Sequence, residues 1–332
     1  MKQFLYIVTA GNQSIEVWEL SYTGEMYLIQ VIDTAGNEGQ PIIISKTRNK
    51  LYIGIRPQYQ ILVYDILPNG ILNKIGSQNI PYSPNYLTFD QNENFLFCSY
   101  YHDGCLSISK IDQKHIPTAP IQIIEHIKGC HSVKLNLSQK LVIVPSLLNN
   151  RIYLFQLLKH AVLPLKFLKY ITCSIQSGPR HIIFHNKKDY CYSINELNGT
   201  IDVWKINNDK NNIQNIQNIN LLNKKINNNS FWSADIHITS CGKYLYASDR
   251  MYSTITIFKV NINYTLSYIS QINTVKQPKS FLINHDNQYL IVVGQQDNTI
   301  AVYNISMENG LLYLLYKYPT GINPTWIISY AI

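Results

Sequence analysis

No stretch of this chain approaches the ~18 uninterrupted apolar residues that a membrane-spanning helix requires. The richest runs, such as Leu311 to Tyr316, are strand-sized, so a soluble protein with no membrane partner is expected. Charge is also scarce: Asp, Glu, Lys and Arg make up 14% of the residues against 46% hydrophobic ones, a balance that excludes a disordered chain. The six cysteines (Cys98, Cys105, Cys130, Cys173, Cys191, Cys241) contain no C-x-x-C pair, and the opening Met1-Lys2-Gln3-Phe4-Leu5-Tyr6 lacks the apolar run of a secretion signal; reduced thiols in the cytoplasm are the expectation. A G-x-S-x-G elbow, a Walker loop and an H-E-x-x-H helix are all missing, which removes the motif-based arguments for a serine nucleophile, a nucleotide site or a zinc site. The excess of 28 Lys+Arg over 20 Asp+Glu, a net +8, is dispersed among Asn and Ile. It forms no basic cluster of the kind that marks a nucleic-acid surface.

What the chain does have is a repeat. At 332 residues it exceeds the ~250–300 at which single cores stop growing, so it holds either two domains or units added around one axis. An apolar alternation, most often ending in an aromatic, recurs seven times: Ile15-Glu16-Val17-Trp18, Ile61-Leu62-Val63-Tyr64, Leu106-Ser107-Ile108-Ser109, Ile152-Tyr153-Leu154-Phe155, Ile201-Asp202-Val203-Trp204, Ile255-Thr256-Ile257-Phe258 and Ile300-Ala301-Val302-Tyr303. Their first residues are 46, 45, 46, 49, 54 and 45 apart, and an apolar pair precedes each in the same register, from Leu5-Tyr6 and Leu51-Tyr52 to Leu290-Ile291. Further upstream, Gly39, Pro84, Cys130, Pro179, Ser233, Pro278 and Pro324 each open another short strand. Strand, turn, strand, turn, strand and a variable segment is the layout of a four-stranded propeller blade. The expected fold is all-β, a seven-bladed β-propeller in one domain over residues 1–332. The last opening strand has no successor, so the N-terminal strand must complete the seventh blade and leave the ring without a free edge. The widest spacing covers the Asn-rich stretch Asn207 to Asn229, expected to be an outer strand and a loop.

Two repeat positions fall at one end of the blade hairpins and hence on one face of the ring. After each opening turn stand Gln40, Asn85, His131, Arg180, Ala234, Lys279 and Thr325; after each apolar-pair strand stand Ala10, Arg56, Tyr101, Leu147, Glu196, Arg250 and Gln295. A purely structural repeat would keep such positions bland. These instead gather Arg56, Arg180, Arg250, Lys279, His131 and Glu196, and like charges converging on a channel repel one another unless an anion belongs between them. Arginines grip phosphate or carboxylate bidentately, and a neutral imidazole can take a proton from water. Cys130 beside His131 is no thiol dyad, because neighbours on a strand face opposite ways. His181 with His185, and Asp235 with His237, could share strand faces and hold a metal, but no third ligand is in spacing and structural hydrogen bonds are the expectation.

On these residues the chain resembles the propeller-type 6-phosphogluconolactonases of bacteria, which are similar to the fungal carboxy-muconate lactonizing enzymes. The segments that carry the likeness are Gly129-Cys130-His131-Ser132, Gly178-Pro179-Arg180-His181, Asn195-Glu196-Leu197-Asn198, Ala234-Asp235-Ile236-His237 and Ser248-Asp249-Arg250. The resemblance implies hydrolysis of 6-phospho-D-glucono-1,5-lactone to 6-phosphogluconate, in the oxidative pentose phosphate pathway, with no metal or other cofactor. It implies a catalytic set of His131, Arg180, Glu196 and Arg250. Arg56, Lys279, Gln295 and His181 are the expected substrate-binding residues of a monomer that takes a small sugar-phosphate lactone. Which of His131 and Glu196 is the base stays open. Two departures stand out: Lys279 occupies a place where arginine is expected, losing the bidentate fork, and Ser240-Cys241-Gly242 replaces a Pro-Asp-Gly turn. The rivals are a muconate cycloisomerase, a metal-dependent sugar lactonase and a non-catalytic interaction propeller; the WD40-type Gly-His and Trp-Asp signatures of the last are absent.

Overall fold

The computed structural model describes residues 2–222 and 230–332. Seven four-stranded antiparallel sheets follow one another around a central channel. We number the blades by the chain order of their innermost strands: Ile42–Ser45, Tyr86–Phe89, Lys134–Leu135, Pro179–Phe184, Ser233–Ile238, Pro278–Ile283 and Pro324–Ala331. Blade 4 shows the plan, running outward through Tyr190–Asn195 and Thr200–Asn207 to Asn212–Asn220. The outer strand expected within the Asn-rich stretch is therefore present; the loop expected after it lies in residues 223–229, outside the described residues. In blade 7, Pro324–Ala331 pairs with Gln3–Thr9, which leads to Ser14–Leu20 and Met26–Asp33. Both ends of the chain thus close the ring within one sheet.

The core lies between neighbouring blades, because each sheet is apolar on both faces and must cover both. The apolar pairs and alternations of the repeat supply it: Tyr6, Tyr52, Phe97, Tyr192, Tyr246, Phe155, Trp204 and Phe258 are all at most 2% exposed. Burying a phenol requires a partner for its hydroxyl, and the repeat meets this by one device used four times. Tyr6, Tyr52, Tyr192 and Tyr246, each the second residue of an apolar pair, donate across to the next blade, to the carbonyls of Gly70, His115, Tyr264 and Gly310 at 2.9, 2.7, 3.0 and 2.9 Å. Each acceptor sits in a tight turn at positive φ, which turns its carbonyl toward the neighbour. Outer strands are latched too: Gln30, Gln122 and Gln217 each exchange two hydrogen bonds with the backbone of Leu72, Leu165 and Leu266 on the following blade.

The innermost strands depart from the expected pattern where they matter most. In blades 4, 6 and 7 the ladder skips one residue directly after the opening proline, so that Arg180, Lys279 and Thr325 are bulged, and blade 5 has the same irregularity between Ser233 and Ile236. In blades 1 to 3 regular pairing starts only at Ile42, Tyr86 and Lys134, later than the turns at Gly39, Pro84 and Cys130. There the chain is tied by single bonds instead, Asn85 N to Ser99 O and His131 N to Pro145 O. A bulge adds a residue that the ladder does not hold and so re-aims its side chain. That is how blades 4, 6 and 7 point Arg180, Lys279 and Thr325 into the channel mouth.

Candidate active site

A hollow of about 330 Å³ opens at that mouth, lined among others by Arg56, Asn85, His131, Arg180, Glu196, Arg250 and Lys279. Six of these are the residues that the repeat arithmetic singles out as charged or titratable. The other expected substrate ligands fall outside it. Gln295 is held by its own turn, its N–H on Gln277 O at 3.0 Å, and His181, one residue beyond the bulge, points beneath the cup. Among the lining residues, sequence reasoning missed His102, Trp232 and Trp326. A signal existed: of the four tryptophans, Trp18 and Trp204 belong to the blade repeat, and the two that do not are both in the cup.

The turn before each opening strand places these groups. Gly129 and Gly178 take positive φ (67° and 63°) two residues ahead of His131 and Arg180, and Gln277 and Asn323 do so ahead of Lys279 and Thr325. Glycine takes this conformation without penalty, and added Cβ atoms would meet Leu148 N at 2.7 Å and Leu197 Cγ at 2.6 Å. Side chains then pass hydrogen bonds from blade to blade: Asn85 Nδ2 to His131 O at 2.6 Å, Ser132 Oγ to Arg180 O at 2.8 Å, and Arg180 Nη1 to Ala234 O. The cup residues are thus fixed through their backbones, on the innermost and most confined strands.

One carboxylate organises the cations. Glu196 Oε2 lies 2.8 Å from Arg180 Nε and 2.9 Å from Arg250 Nη2. The Arg250 contact is a well-directed hydrogen bond. The Arg180 one is an ion pair by distance, with the Nε–H not aimed along it, so this buried N–H lacks an acceptor, as does the enclosed Thr325 hydroxyl. Arg250 also packs its guanidinium 3.9 Å over the Trp232 ring and donates to Trp232 O. Arg56 is gripped by Ser83, by Gly39 O and by Glu38 at 3.3 Å.

Four cations, Arg56, Arg180, Arg250 and Lys279, with Glu196 between two of them and Glu38 on Arg56, leave uncompensated positive charge in a confined space, and the titrations respond. Burial, then Arg180, brings Arg250 down to about 9 against the pull of Glu196. Burial, then Arg250, Arg180 and Arg56, brings Lys279 down to about 7. Burial, then Arg180, with Arg250 and Lys279 further off, holds His131 well below its ordinary value, so its imidazole is neutral at physiological pH. Desolvation and like charge act together here. The arrangement offers an anion site with an unprotonated base at its edge. Cys130, by contrast, is buried in the apolar layer between blades 2 and 3, with its thiol pushed far up by burial, as the opposite-face argument requires.

His185 packs against Tyr264 and away from His181, while Asp235 does bond His237, with Nε2 3.3 Å from Oδ2. No three His, Cys, Asp or Glu side chains among the described residues converge as a metal-ligand set. All six cysteines are unpaired, and no helix is long and apolar enough to cross a membrane.

The family model for "Lactonase, 7-bladed beta-propeller" matches residues 3–329. The chain is 44% identical over 335 residues to the 6-phosphogluconolactonase of Buchnera aphidicola subsp. Schizaphis graminum, covering 100% of both chains. It is 36% identical over 329 residues to that of Erwinia tasmaniensis, covering 99% of this chain and 98% of the relative. In three dimensions it is similar to the periplasmic gluconolactonase of Pseudomonas aeruginosa, with a TM-score of 0.92 and 17% identity over 100% of this chain and 99% of that one, a likeness of fold. With one family model covering nearly every residue and full-length relatives well above 30% identity, the chain belongs to the seven-bladed β-propeller lactonases.

Proposed function

We infer that this protein is a 6-phosphogluconolactonase, hydrolysing 6-phospho-D-glucono-1,5-lactone to 6-phosphogluconate. The observation that carries the reading is the surplus of cations around Glu196, with a neutral imidazole beside them, in a chain whose full-length relatives bear that name. Lys279 and Arg56 take the phosphate. Arg180 and Arg250, held as a pair by Glu196, face the lactone carbonyl. His131 removes a proton from water as its oxygen attacks C1, and the two guanidiniums stabilise the oxyanion that develops, an effect worth about 10²–10³ in rate for one well-placed donor. Collapse of the tetrahedral intermediate breaks the bond between C1 and the ring oxygen, which takes the proton back from the imidazolium. The free acid then ionises to solvent.

In this reading His131 is the base and Glu196 the orienter. Glu196 Oε2 is shared between two guanidiniums, whereas burial and then the surrounding positive charge keep the His131 imidazole unprotonated. The protein acts as a monomer on a small molecule, and its six unpaired thiols, five of them buried, support a reducing compartment, the cytoplasm. The test is a stopped assay on freshly generated lactone coupled to 6-phosphogluconate dehydrogenase. Wild type should exceed the spontaneous rate, and Arg180→Ala and His131→Ala should fall back toward it. A wild-type rate equal to the blank, with turnover of a muconate instead, would replace this function by the cycloisomerase.

A further inference from the structure

Lys279 differs from the other cations of the cup in what surrounds it. It stands at the bulge after Pro278 and lines the hollow with Arg56, Arg180 and Arg250. Gly39 leaves room for it: a Cβ on that residue would meet Nζ at 3.0 Å, and Arg56 Nη1 donates to the carbonyl of the same glycine at 3.1 Å. Ammonium and guanidinium therefore converge on one glycine. Each arginine has a carboxylate, Glu38 for Arg56 and Glu196 for Arg180 and Arg250. Lys279 has none: among the described residues its Nζ has neither an ion-pair partner nor a hydrogen-bond acceptor.

An amine enclosed among cations sheds its proton readily, because lost hydration and like charge both disfavour the ammonium. Burial, then Arg250, Arg180 and Arg56, brings Lys279 down to about 7. At pH 7.5 roughly three quarters of it is then free amine, against about 0.1% of an exposed lysine. Desolvation and a cationic neighbour are what turn a lysine into a nucleophile toward carbonyl carbon, a chemistry that a guanidinium lacks. The hydrolysis proposed above leaves this property unused. There the phosphate sits on Lys279 and returns the proton, and C1 lies at the other end, by Arg180 and Arg250. A ligand that sets its phosphate on the two arginines instead turns its far end toward an amine with no anion at hand.

We propose that the cup is also a covalent site for small aldehydes that carry a phosphate: the phosphate binds Arg180 and Arg250, and Nζ of Lys279 adds to the aldehyde carbon. The nitrogen lone pair forms the C–N bond as the C=O pair moves to oxygen. The two amine hydrogens then leave with that oxygen as water, and C=N forms. No oxidant or reductant is consumed, and water reverses the step. The inference goes beyond the lactonase reading and shares with it only that the cup takes a phosphate.

The test uses pyridoxal 5′-phosphate as the aldehyde and pyridoxal as its counterpart without the phosphate, each equimolar with the protein at pH 7.5. Borohydride then fixes any imine as a secondary amine, and peptide mapping by mass spectrometry locates it. Pyridoxal phosphate should label Lys279 at least about tenfold more than any other lysine, following the excess of free amine. With pyridoxal that preference should disappear, and excess inorganic phosphate should suppress it. Lys279→Arg keeps the charge without the nucleophile, so its corresponding peptide should carry no label. Label spread over exposed lysines with no preference for Lys279, the same preference with pyridoxal, or no protection by inorganic phosphate would each overturn the proposal. The label is read by mass and not by turnover, so it decides the matter whether or not the wild type hydrolyses the lactone, and the wild-type arms suffice if Lys279→Arg does not fold.

Discussion

Lys279 supplies the sharpest expectation of the proposed chemistry. Its ammonium lies among Arg56, Arg180 and Arg250, and burial with those neighbours lowers its pKa from the ordinary 10.5 to about 7. A depressed lysine loses its charge as pH rises through the lowered value, so phosphate binding should weaken across the same window. With a midpoint near 7, the protonated fraction falls from roughly 76% at pH 6.5 to roughly 3% at pH 8.5, and kcat/KM should fall about 25-fold, mostly through KM. Arg250, at about 9, still keeps roughly three quarters of its charge at pH 8.5. The phosphate's second ionisation is centred near 6, so about half of that charge is gone at pH 6, which sets the lower limit of the window. The coupled assay is run at each pH against a blank, because hydroxide hydrolyses the lactone unaided. Linkage adds a second readout: binding the product 6-phosphogluconate at pH 7 should draw up about half a proton, seen by calorimetry in buffers of different ionisation enthalpy. In Lys279→Arg the charge persists to high pH, so the slope should vanish while binding at pH 8.5 improves. A wild-type profile flat between pH 6.5 and 8.5, or the same slope in Lys279→Arg, would refute this account of the cup.

Other perturbations test the scaffold and the site separately. Glu196→Gln removes the charge that pairs Arg180 with Arg250, and a misplacement of about 1 Å is enough to cost about 10²-fold in kcat; near wild-type turnover would show that the pair needs no anchor. Gly178→Ala places a Cβ 2.6 Å from Leu197 Cγ at φ 63°, so thermal or urea unfolding should show a loss of about 1–2 kcal/mol from the left-handed backbone alone, and more from the contact. An unchanged midpoint would mean that the turn takes another shape. Tyr246→Phe strips the latch to Gly310 O and should cost about 1–3 kcal/mol by leaving a buried carbonyl unpaired, with kcat unchanged because the latch lies away from the cup.

The ring was legible because every blade must cover two apolar faces with the same few side chains, and that requirement repeats at nearly constant spacing. Cup residues were legible for a related reason: His131, Arg180, Glu196, Arg250 and Lys279 break a repeat that otherwise has no reason to vary. His181 and Gln295 show where position in the repeat stops being informative. The bulge at Arg180 shifts the pairing by one residue, which sends the side chain before the shift into the cup and the next one below it. Trp232 and Trp326 stand beside repeat positions and enter the cup through the same irregular backbone, which no periodicity encodes.

By itself, then, the sequence determined the architecture, the closure of blade 7 by both ends of the chain, and the set of cations gathered on one face. These depend on local pattern and on spacing, which a linear chain carries. Only the tertiary structure decided that Glu196 bridges two arginines while His131 stays neutral, and that Lys279 titrates near 7. Each of those depends on distance and burial between blades. Coulomb interactions and desolvation act through space, between residues as far apart in the chain as Glu196 and Arg250, 54 positions, and only the assembled ring brings such residues within reach of one another.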